Sequence, residues 1–367
     1  MTTDVALPRA AGRMLPEWKQ SGAVIHVVDL DIPAASLWRL PRIHASARKI
    51  VEEVTPDLIH SHHMSTTVVL RQALGRDHPA PRIFQVPGPL HLEHALFRRW
   101  EIGTAGARDW WIPTSRCIAG HYLRAGIARD RLFLSYAGTH VTNYSSHRTY
   151  TFRRSLGIAD DQLVVGNISY IYAPKYYLGQ TVGLKGHEDI IDALAIVTAK
   201  RADVVGVLAG GAWDSAGAYE RKLRARAGRV GVRMPGYLPP DVIENAWADF
   251  DCAVHVPLSE NCGGVIEPLL AAVPTIAGNV GGLPEVVIDG VTGKLVPARR
   301  PNELAEAILE VLSARDRYVQ LARAGQRLVR TMFDVSRTAG EVYDIYRHLC
   351  DPTVAPPPTF DSRGWAG

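Results

Sequence analysis

Short apolar runs alternate with longer amphipathic segments through most of this chain. In the first part of the sequence, strands are predicted at residues 23–30, 58–60, 82–86, 110–113 and 132–136, and helices at residues 37–54, 66–74 and 118–125. Buried β-branched strands that alternate with helices are typical of a parallel sheet covered on both faces. The pattern therefore predicts a fold of the α/β class.

The same pattern begins again after a polar stretch at residues 143–150. Strands are predicted at residues 162–172, 203–209, 230–234, 252–256, 275–277 and 293–296, and helices at residues 187–199, 218–227, 241–248, 265–272 and 302–313. Two such units predict two Rossmann-like domains, residues 1–150 and 151–334, with a ligand cleft at the carboxyl ends of their strands. A last helix is predicted at residues 335–350. The proline-rich residues 351–367 are predicted to be disordered.

Composition narrows the function classes without naming one. The chain is 47% hydrophobic, and its 41 basic and 37 acidic residues give a net charge of +4, which is too small to indicate nucleic-acid binding. Its four cysteines are not arranged at metal-ligand spacing. We find neither the apolar core of a signal peptide nor an apolar run of the ~20 residues that cross a bilayer. We therefore expect a cytoplasmic protein with reduced thiols, whose membrane contact is at most peripheral.

The segment at residues 259–285 is the most informative part of the sequence. Two glutamates, Glu260 and Glu267, flank a glycine pair, and an apolar run and a Gly-Gly-Leu-Pro-Glu turn at residues 281–285 follow. Glycines before a helix allow backbone N–H groups to approach a phosphate closely. Carboxylates would repel phosphate, so we expect these two to accept hydrogen bonds from hydroxyls. A ligand with both phosphate and hydroxyls suggests a nucleotide sugar.

These motifs resemble the donor site of retaining glycosyltransferases of family four, which have the GT-B fold. Residues 184–194 resemble the family's Lys-Gly-x-x-x-Leu-Ile-x-Ala-Phe segment, with Lys185 as its lysine. Three departures stand out. Six residues, rather than seven, separate Glu260 from Glu267, and Lys175 is the substitute candidate for a family arginine that is missing. The first twenty residues hold no good counterpart of the family's opening strand, Gly-Gly loop and helix, so either the start lies upstream or that element is lacking.

The resemblance assigns roles on the donor side. Lys185 would bind the diphosphate and stabilise the charge that develops on it as the glycosidic bond breaks. Glu260 would hold sugar hydroxyls and Glu267 the ribose. We expect Pro268 in the first turn of its helix, which would place Glu267 at the helix mouth facing the cleft. The remaining expected contacts to the donor come from Gly211, Leu238, Asn261, Cys262, Gly263, Gly264 and Val265.

On the acceptor side, His91 and Glu93 are the candidates near the reacting carbon, because either side chain can accept a proton or bind an acceptor hydroxyl. The histidines at residues 60–63 have no Cys or carboxylate nearby to complete a zinc site, and we expect none. In GT-B proteins the last helix often crosses back to the first domain, and we expect the same of residues 335–350.

The resemblance implies transfer of a hexose or N-acetylhexosamine from a nucleoside-diphosphate sugar, most commonly a UDP-sugar, with retention at the anomeric carbon and no cofactor or obligatory metal. We expect the acceptor to be a hydroxyl of a small or secondary-metabolite molecule. A cell-wall or lipid-linked glycan acceptor is the close alternative. Two other classes stay open, which are a nucleotide-sugar epimerase and a non-catalytic sugar-binding relative. The sequence does not indicate the oligomeric state.

Overall fold

The computed structural model describes residues 2–12, 14–33 and 36–358, and its parallel sheets confirm the α/β class. In the first part of the chain, β1 pairs with β2, and a separate sheet has the order β3-β4-β5. The strands are β1 (Asp4–Leu7), β2 (Val24–Val27), β3 (Ile59–Ser61), β4 (Arg82–Val86) and β5 (Asp109–Pro113). The helices are α1 (Leu15–Gln20), α2 (Leu40–Val54), α3 (Met64–Leu74), α4 (Leu90–Glu93), α5 (Ala95–Gly103) and α6 (Arg116–Arg124).

The second part of the chain forms one larger parallel sheet with the order β11-β10-β9-β6-β7-β8. Its strands are β6 (Leu163–Ile168), β7 (Val204–Ala209), β8 (Arg233–Gly236), β9 (Cys252–His255), β10 (Thr275–Gly278) and β11 (Lys294–Val296). The helices are α7 (Thr151–Ser155), α8 (His187–Lys200), α9 (Gly217–Arg229), α10 (Pro240–Ala246), α11 (Gly263–Leu270), α12 (Pro301–Ser313), α13 (Arg315–Met332) and α14 (Val335–Cys350).

The direction of strand addition reverses between β6 and β9. The chain adds β7 and β8 on one side of β6, then returns to add β9, β10 and β11 on the other side. Every residue of β7 is buried, because helices cover both faces of the sheet. In such a sheet, the crevice outside the carboxyl ends of the two strands at the reversal is the usual ligand site. Here that crevice lies after Ile168 and His255.

Several sequence predictions need correction. The predicted strand at 132–136 is an irregular segment beside β5, in which Phe133 N donates to Trp111 O at 3.0 Å. The strand predicted at 162–172 ends at Ile168, because the chain leaves the sheet there. The long helix α13 was not predicted. A short strand and a short helix that the sequence did not predict, β1 and α1, precede β2.

The boundary between the two parts of the chain stays a prediction. Asn143 already donates to Glu244 at 3.0 Å, so the polar stretch before residue 150 contacts the helices of the second sheet. Helix α14 lies against the first sheet, where Ile345 and Leu349 pack with Ile83. Val354 O accepts from His348 Nδ1 at 2.5 Å, and residues 359–367 of the predicted tail lie outside the described residues. No helix of the described chain is long and apolar enough to cross a membrane.

A buried ion network joins α3, α5 and the first sheet. Asp109 accepts from Arg82 at 2.6 Å and from Arg71 at 2.9 Å, and Arg71 also donates to Glu101 at 2.6 Å. The side chain of Glu101 in turn accepts from the Trp111 indole at 2.8 Å. All four charged residues are fully or almost fully buried. Each charge is compensated only while its partners are present, so the network depends on every member.

We expect Asp109→Ala to destabilise the first part of the chain by about 3–5 kcal/mol, because it leaves two buried guanidinium groups without their shared carboxylate. Asp203→Ala is the matched control, since its ion pair with Arg201 is exposed and screened by solvent and is expected to contribute little to stability. Urea unfolding followed by the fluorescence of the eight tryptophans, which lie in both parts of the chain, measures both changes. Equal effects of the two substitutions would contradict the expectation.

Candidate functional site

The loops that follow β6 and β9 meet at the crevice that the strand order defines. Leu258 N donates to Leu184 O at 2.8 Å and ties one loop to the other. Gly186 has φ +70°, and a Cβ there would lie 2.0 Å from Val256 O. Only glycine fits such a position, because the backbone is left-handed and the space is filled. The loop is therefore held close to β9, and it positions Lys185 at the crevice.

Lys185, Glu260 and His255 form a compact charged cluster at this place. Glu260 Oε2 accepts from Lys185 Nζ and, at 3.0 Å, from His255 Nε2. The exposed fractions of these side chains are 17% for Lys185, 12% for Glu260 and 1% for His255. The lysine and the glutamate that the sequence selected are thus in direct contact, although they are 75 positions apart in the chain.

The Glu260 carboxyl is ionised at neutral pH. Burial alone would raise its pKa, but the hydrogen bond from His255 and the charge of Lys185 outweigh burial and lower that pKa to about 2. Because this pKa lies below that of an ordinary glutamate, the ionised group stabilises the fold at neutral pH. That stabilisation is lost only as the pH falls from about 4.3 toward the folded-state pKa.

The glycine pair lies at the first two positions of α11. The N–H groups at the start of a helix have no partner within the helix, and the helix dipole favours an anion there. A Cβ on Gly264 would lie 2.0 Å from His255 Nε2, so the glycine leaves room for the imidazole. The side chains of Cys262 and Val265 belong to the hydrophobic core, so only their backbone is available to a ligand. The mouth of α11 beside Lys185 can bind a phosphate.

The predicted position of Glu267 was wrong. Helix α11 begins at Gly263, which makes Glu267 its fifth residue and puts Pro268 in the interior rather than in the first turn. The glycine pair is itself helical, so the mouth lies one turn before the expected place. Glu267 accepts from the Tyr144 hydroxyl at 2.9 Å and from the Trp247 indole at 3.0 Å. Its contact with ribose stays a prediction.

A group of aromatic side chains lies near Lys185, on the segments that follow β6, β7 and β8. Tyr170 packs against Trp213, with ring centroids 4.9 Å apart, and against Tyr237 at 6.3 Å. Tyr172 links this group to the cluster, since Lys185 Nζ lies 5.8 Å from its ring centroid. Two predicted donor residues belong to the same place. Gly211 would bring a Cβ within 3.3 Å of Tyr237 Cβ, and Leu238 is the next residue after that tyrosine.

Lys175 lies just before the single turn Tyr176–Leu178. Burial lowers the pKa of its ammonium group. It forms no ion pair with any residue that the structure describes. That Lys175 replaces the missing family arginine stays a prediction.

The first-domain candidates are less clearly placed. His91 packs against Phe84, with ring centroids 5.7 Å apart, and its Nε2 lies 3.5 Å from the Tyr122 hydroxyl. Burial, followed by the charge of His121, lowers the pKa of His91 to about 4, so the ring is neutral at pH 7. Glu93 is exposed. No contact joins either side chain to the Lys185 cluster among the described residues, and their roles stay predictions.

The histidines after β3 contact one another and the last helix. His60 stacks on His62 with centroids 4.4 Å apart, and its Nδ1 contacts the Tyr346 hydroxyl. Burial, followed by the charge of His62, lowers the pKa of His60 to about 3. Across the described ranges, no group of His, Cys, Asp and Glu side chains is arranged to hold a metal ion.

Comparison with known proteins places this site in a family. The model of a family described as glycosyl transferases group 1 matches residues 175–328, which include the Lys185 cluster and α11. Over these residues the chain is similar to glycosyltransferases of the family-four type, and its overall fold is GT-B.

Individual relatives agree with this assignment. The chain is 27% identical over 306 residues to the D-inositol 3-phosphate glycosyltransferase of Geodermatophilus obscurus. The aligned region covers 81% of this chain and 62% of that protein. It is 29% identical over 182 residues to the GDP-mannose-dependent alpha-(1-6)-phosphatidylinositol monomannoside mannosyltransferase of Mycobacterium tuberculosis, covering 46% of each. The chain therefore spans about half to three fifths of these curated relatives.

A solved structure matches the whole architecture. Anabaena Alr3699/HepE in complex with UDP-glucose superposes with a TM-score of 0.77 at 23% identity, over 94% of this chain and 91% of that one. Sucrose-phosphate synthase from Thermosynechococcus elongatus superposes with a TM-score of 0.70 at 22% identity, over 86% and 79% of the two chains. At these identities the likeness establishes the fold.

The two parts of the chain meet beside the candidate site. The Glu285 carboxylate, which follows the second glycine pair, accepts from Arg116 N at 2.9 Å and from Cys117 N at 2.8 Å, the first two amides of α6. Asn261 Nδ2 donates to Thr114 Oγ1 at 2.8 Å. A carboxylate at the positive end of a helix is stabilising. These contacts join the loop after β9 and the second glycine pair to the segment that links β5 to α6.

We expect Glu285→Ala to speed hydrogen exchange of the Arg116 and Cys117 amides by about tenfold. That factor corresponds to about 1.4 kcal/mol, which lies within the range for a carboxylate at a helix N-terminus. Glu303→Ala, at an exposed glutamate in the first turn of α12, is the control. Unchanged exchange in Glu285→Ala would show that this contact does not hold the two parts of the chain together.

Sequence reasoning missed two residues of this candidate site. His255 closes a buried apolar strand, where a histidine is easily taken as part of the core. Its only sequence signal is its place at the carboxyl end of β9, five residues before Glu260. Glu285 was part of a matched motif, but nothing in the sequence indicated that its partner would be the first turn of α6.

Proposed function

We propose that this protein transfers a hexosyl or N-acetylhexosaminyl group from a nucleoside-diphosphate sugar to a hydroxyl of an acceptor. The observation that carries the proposal is the contact between Lys185 and the ionised Glu260 beside the glycine mouth of α11. A cation and two free helix amides suit a diphosphate, whereas an ionised carboxylate suits hydroxyls. The two halves of a sugar nucleotide thus have matching partners within one cluster.

Lys185 would contribute most to the chemical step. As the glycosidic bond breaks, the departing nucleoside diphosphate gains negative charge, and a fixed cation stabilises that charge more than it stabilises the bound donor. The α11 amides add to the same effect. These groups supply the positive charge that the leaving group needs, which supports a reaction without an obligatory metal. Retention at the anomeric carbon follows from the family-four resemblance and is part of the proposal.

We propose a UDP-sugar as the donor and a small hydroxylated molecule as the acceptor. The superposed Alr3699/HepE structure contains UDP-glucose, which supports the nucleotide. The relative from Geodermatophilus obscurus is named for D-inositol 3-phosphate, a small polyol, which supports the acceptor class. The mycobacterial relative is named for GDP-mannose and a phosphatidylinositol mannoside, so a GDP-sugar and a lipid-linked acceptor are the alternatives to test. We place the reaction in the cytoplasm, since all four cysteines are free thiols.

Nucleoside-diphosphate release from UDP-, GDP- and dTDP-sugars tests the proposal, with and without inositol phosphates, aminocyclitols and lipid-linked glycans. We expect release that needs one donor and a small acceptor together, and a product whose anomeric configuration by NMR matches that of the donor. An altered sugar nucleotide without diphosphate release would instead indicate an epimerase. Donor binding without any turnover would indicate a sugar-binding protein, and acceptor-dependent release with only a lipid-linked glycan would correct the acceptor.

A further inference from the structure

We propose that His255 is a positioning residue that keeps Glu260 in place when Lys185 turns from that carboxylate to the diphosphate of the donor. The inference rests on the proposed function, since it assumes that a donor diphosphate binds at Lys185. It concerns how a buried carboxylate is held ready for the sugar while its cationic partner is engaged elsewhere. Its support is a chain of buried polar contacts that leads from β6 to Glu260.

The first step is the tautomer of His255. Asn167, on the neighbouring strand β6, directs its Nδ2 to Val254 O at 2.8 Å and to His255 Nδ1 at 3.2 Å. A carbonyl oxygen only accepts, so the nitrogen of this amide is correctly oriented and its second hydrogen points to Nδ1. In this orientation Asn167 Oδ1 accepts from the Ser169 hydroxyl at 2.5 Å, so both ends of the amide are hydrogen-bonded.

The second step follows from the first. With Nδ1 as an acceptor, a neutral imidazole carries its hydrogen on Nε2. Burial lowers the pKa of His255, so the ring is neutral at pH 7. Nε2 then donates to Glu260 Oε2 over the 3.0 Å that separates them. His255 is therefore a fixed donor, whose direction is set by Asn167 and whose ring is almost completely buried.

The third step concerns what happens to Glu260 on donor binding. Oε2 of Glu260 has two donors, Lys185 Nζ and His255 Nε2. The lysine side chain is long and flexible, and its ammonium is the cation that a diphosphate would attract. Once Lys185 turns away, the imidazole N–H is the donor that still holds Oε2 of the ionised carboxylate, while the Asn261 backbone N–H holds Oε1 at 3.1 Å. Without the imidazole N–H, burial would favour a protonated carboxyl, which donates one hydrogen bond and rotates more freely.

Besides Lys185 and His255, the backbone N–H of Asn261 donates to Glu260, but it contacts Oε1 and leaves Oε2 to the two side chains. Tyr172 lies on the loop after β6, near Lys185, and Cys262 caps α11. His187, at the start of α8, faces Ser169 rather than Glu260. Gly264 matters because its missing side chain leaves the space that the His255 ring fills. The position of the His255 ring therefore depends on the absence of a side chain at Gly264.

Two substitutions test the role. His255→Phe keeps a planar ring and removes the donor, whereas the side-chain amide of His255→Gln can still donate to Glu260. We expect kcat/KM for the donor to fall about tenfold to hundredfold in His255→Phe, as the loss of a hydrogen bond to a charged group predicts. We expect the acid limb of its pH profile to move to higher pH, because Glu260 is then protonated more readily. His255→Gln should recover most of the rate and the original acid limb.

A purely structural role would give a different result. If His255 only fills space, His255→Phe keeps the acid limb of the wild type, and His255→Gln is no better than His255→Phe. Either outcome, in variants whose thermal melting shows that they are folded, overturns the proposal. The ¹⁵N chemical shifts of the His255 ring test it without turnover, since Nε2 must carry the hydrogen and an Nδ1–H tautomer would refute the inference. A wild type that turns over no donor, yet shows the Nε2–H tautomer, would refute the proposed function alone.

Discussion

Lys185→Ala is expected to lower kcat/KM for the donor by about 10²–10³-fold, the usual cost of one group that stabilises developing negative charge. The ammonium lies beside the mouth of α11, where the diphosphate is expected to leave. The substitution also removes the only cationic side chain that the structure shows paired with the buried Glu260, leaving His255 and the Asn261 N–H as its donors, so the pKa of Glu260 should rise. Thermal melting of the variant separates this loss of stability from the loss of rate.

Lys294→Ala is the matched control for this measurement. Lys294, the first residue of β11, also pairs with a glutamate, Glu310. Both of these side chains are more exposed than those of Lys185 and Glu260. We expect its kcat/KM to stay within about twofold of the wild type, since exposed pairs contribute little. A decrease of less than threefold in Lys185→Ala, or an equal decrease in both variants, would contradict the role assigned to Lys185.

Glu260→Gln is expected to weaken the binding of the sugar part of the donor without weakening the binding of its diphosphate. The amide keeps the shape of the side chain but loses its charge, so hydrogen bonds from sugar hydroxyls weaken and kcat/KM falls about tenfold to hundredfold. The affinity for UDP alone should stay the same or increase, because Lys185 no longer has a carboxylate partner to leave. Kinetics with the UDP-sugar and calorimetry with UDP measure the two quantities.

Glu267→Gln serves as the comparison, since Glu267 binds Tyr144 and Trp247 in the absence of a ligand. Substitution there should affect UDP and the UDP-sugar alike if it contacts ribose, which both ligands contain. A Glu260→Gln variant that loses affinity for UDP and for the UDP-sugar to the same extent would show that Glu260 does not bind the sugar.

The sequence predicted the location of the site because that location depends on strand order and local motifs. Lys185 and Glu260 follow strands on the two sides of the reversal in strand order, and the carboxyl ends of such strands share one edge of the sheet. The glycine pair and the apolar run after it indicated a helix with a phosphate-binding mouth. These signals are local, and they survived the altered spacing between the glutamates.

Other features depend on contacts that no local pattern contains. Helix α13 was missed although its arginines favour a helix, whereas its internal Gly325 disfavours one. In the fold that glycine permits close packing, since a Cβ there would lie 2.7 Å from Leu269 Cδ2. The tautomer of His255 depends on Asn167, which lies on another strand. The first turn of α11 likewise includes both glycines because Cys262 and Val265 are buried in the core below it.

The most direct test of the account is a crystal structure of the protein with UDP bound. We predict that a phosphate oxygen lies within hydrogen-bond distance of Lys185 Nζ and of the Gly263 or Gly264 amide, while Glu260 keeps its contact with His255. UDP bound elsewhere, with Lys185 still paired to Glu260, would contradict the assignment of this cluster as the donor site.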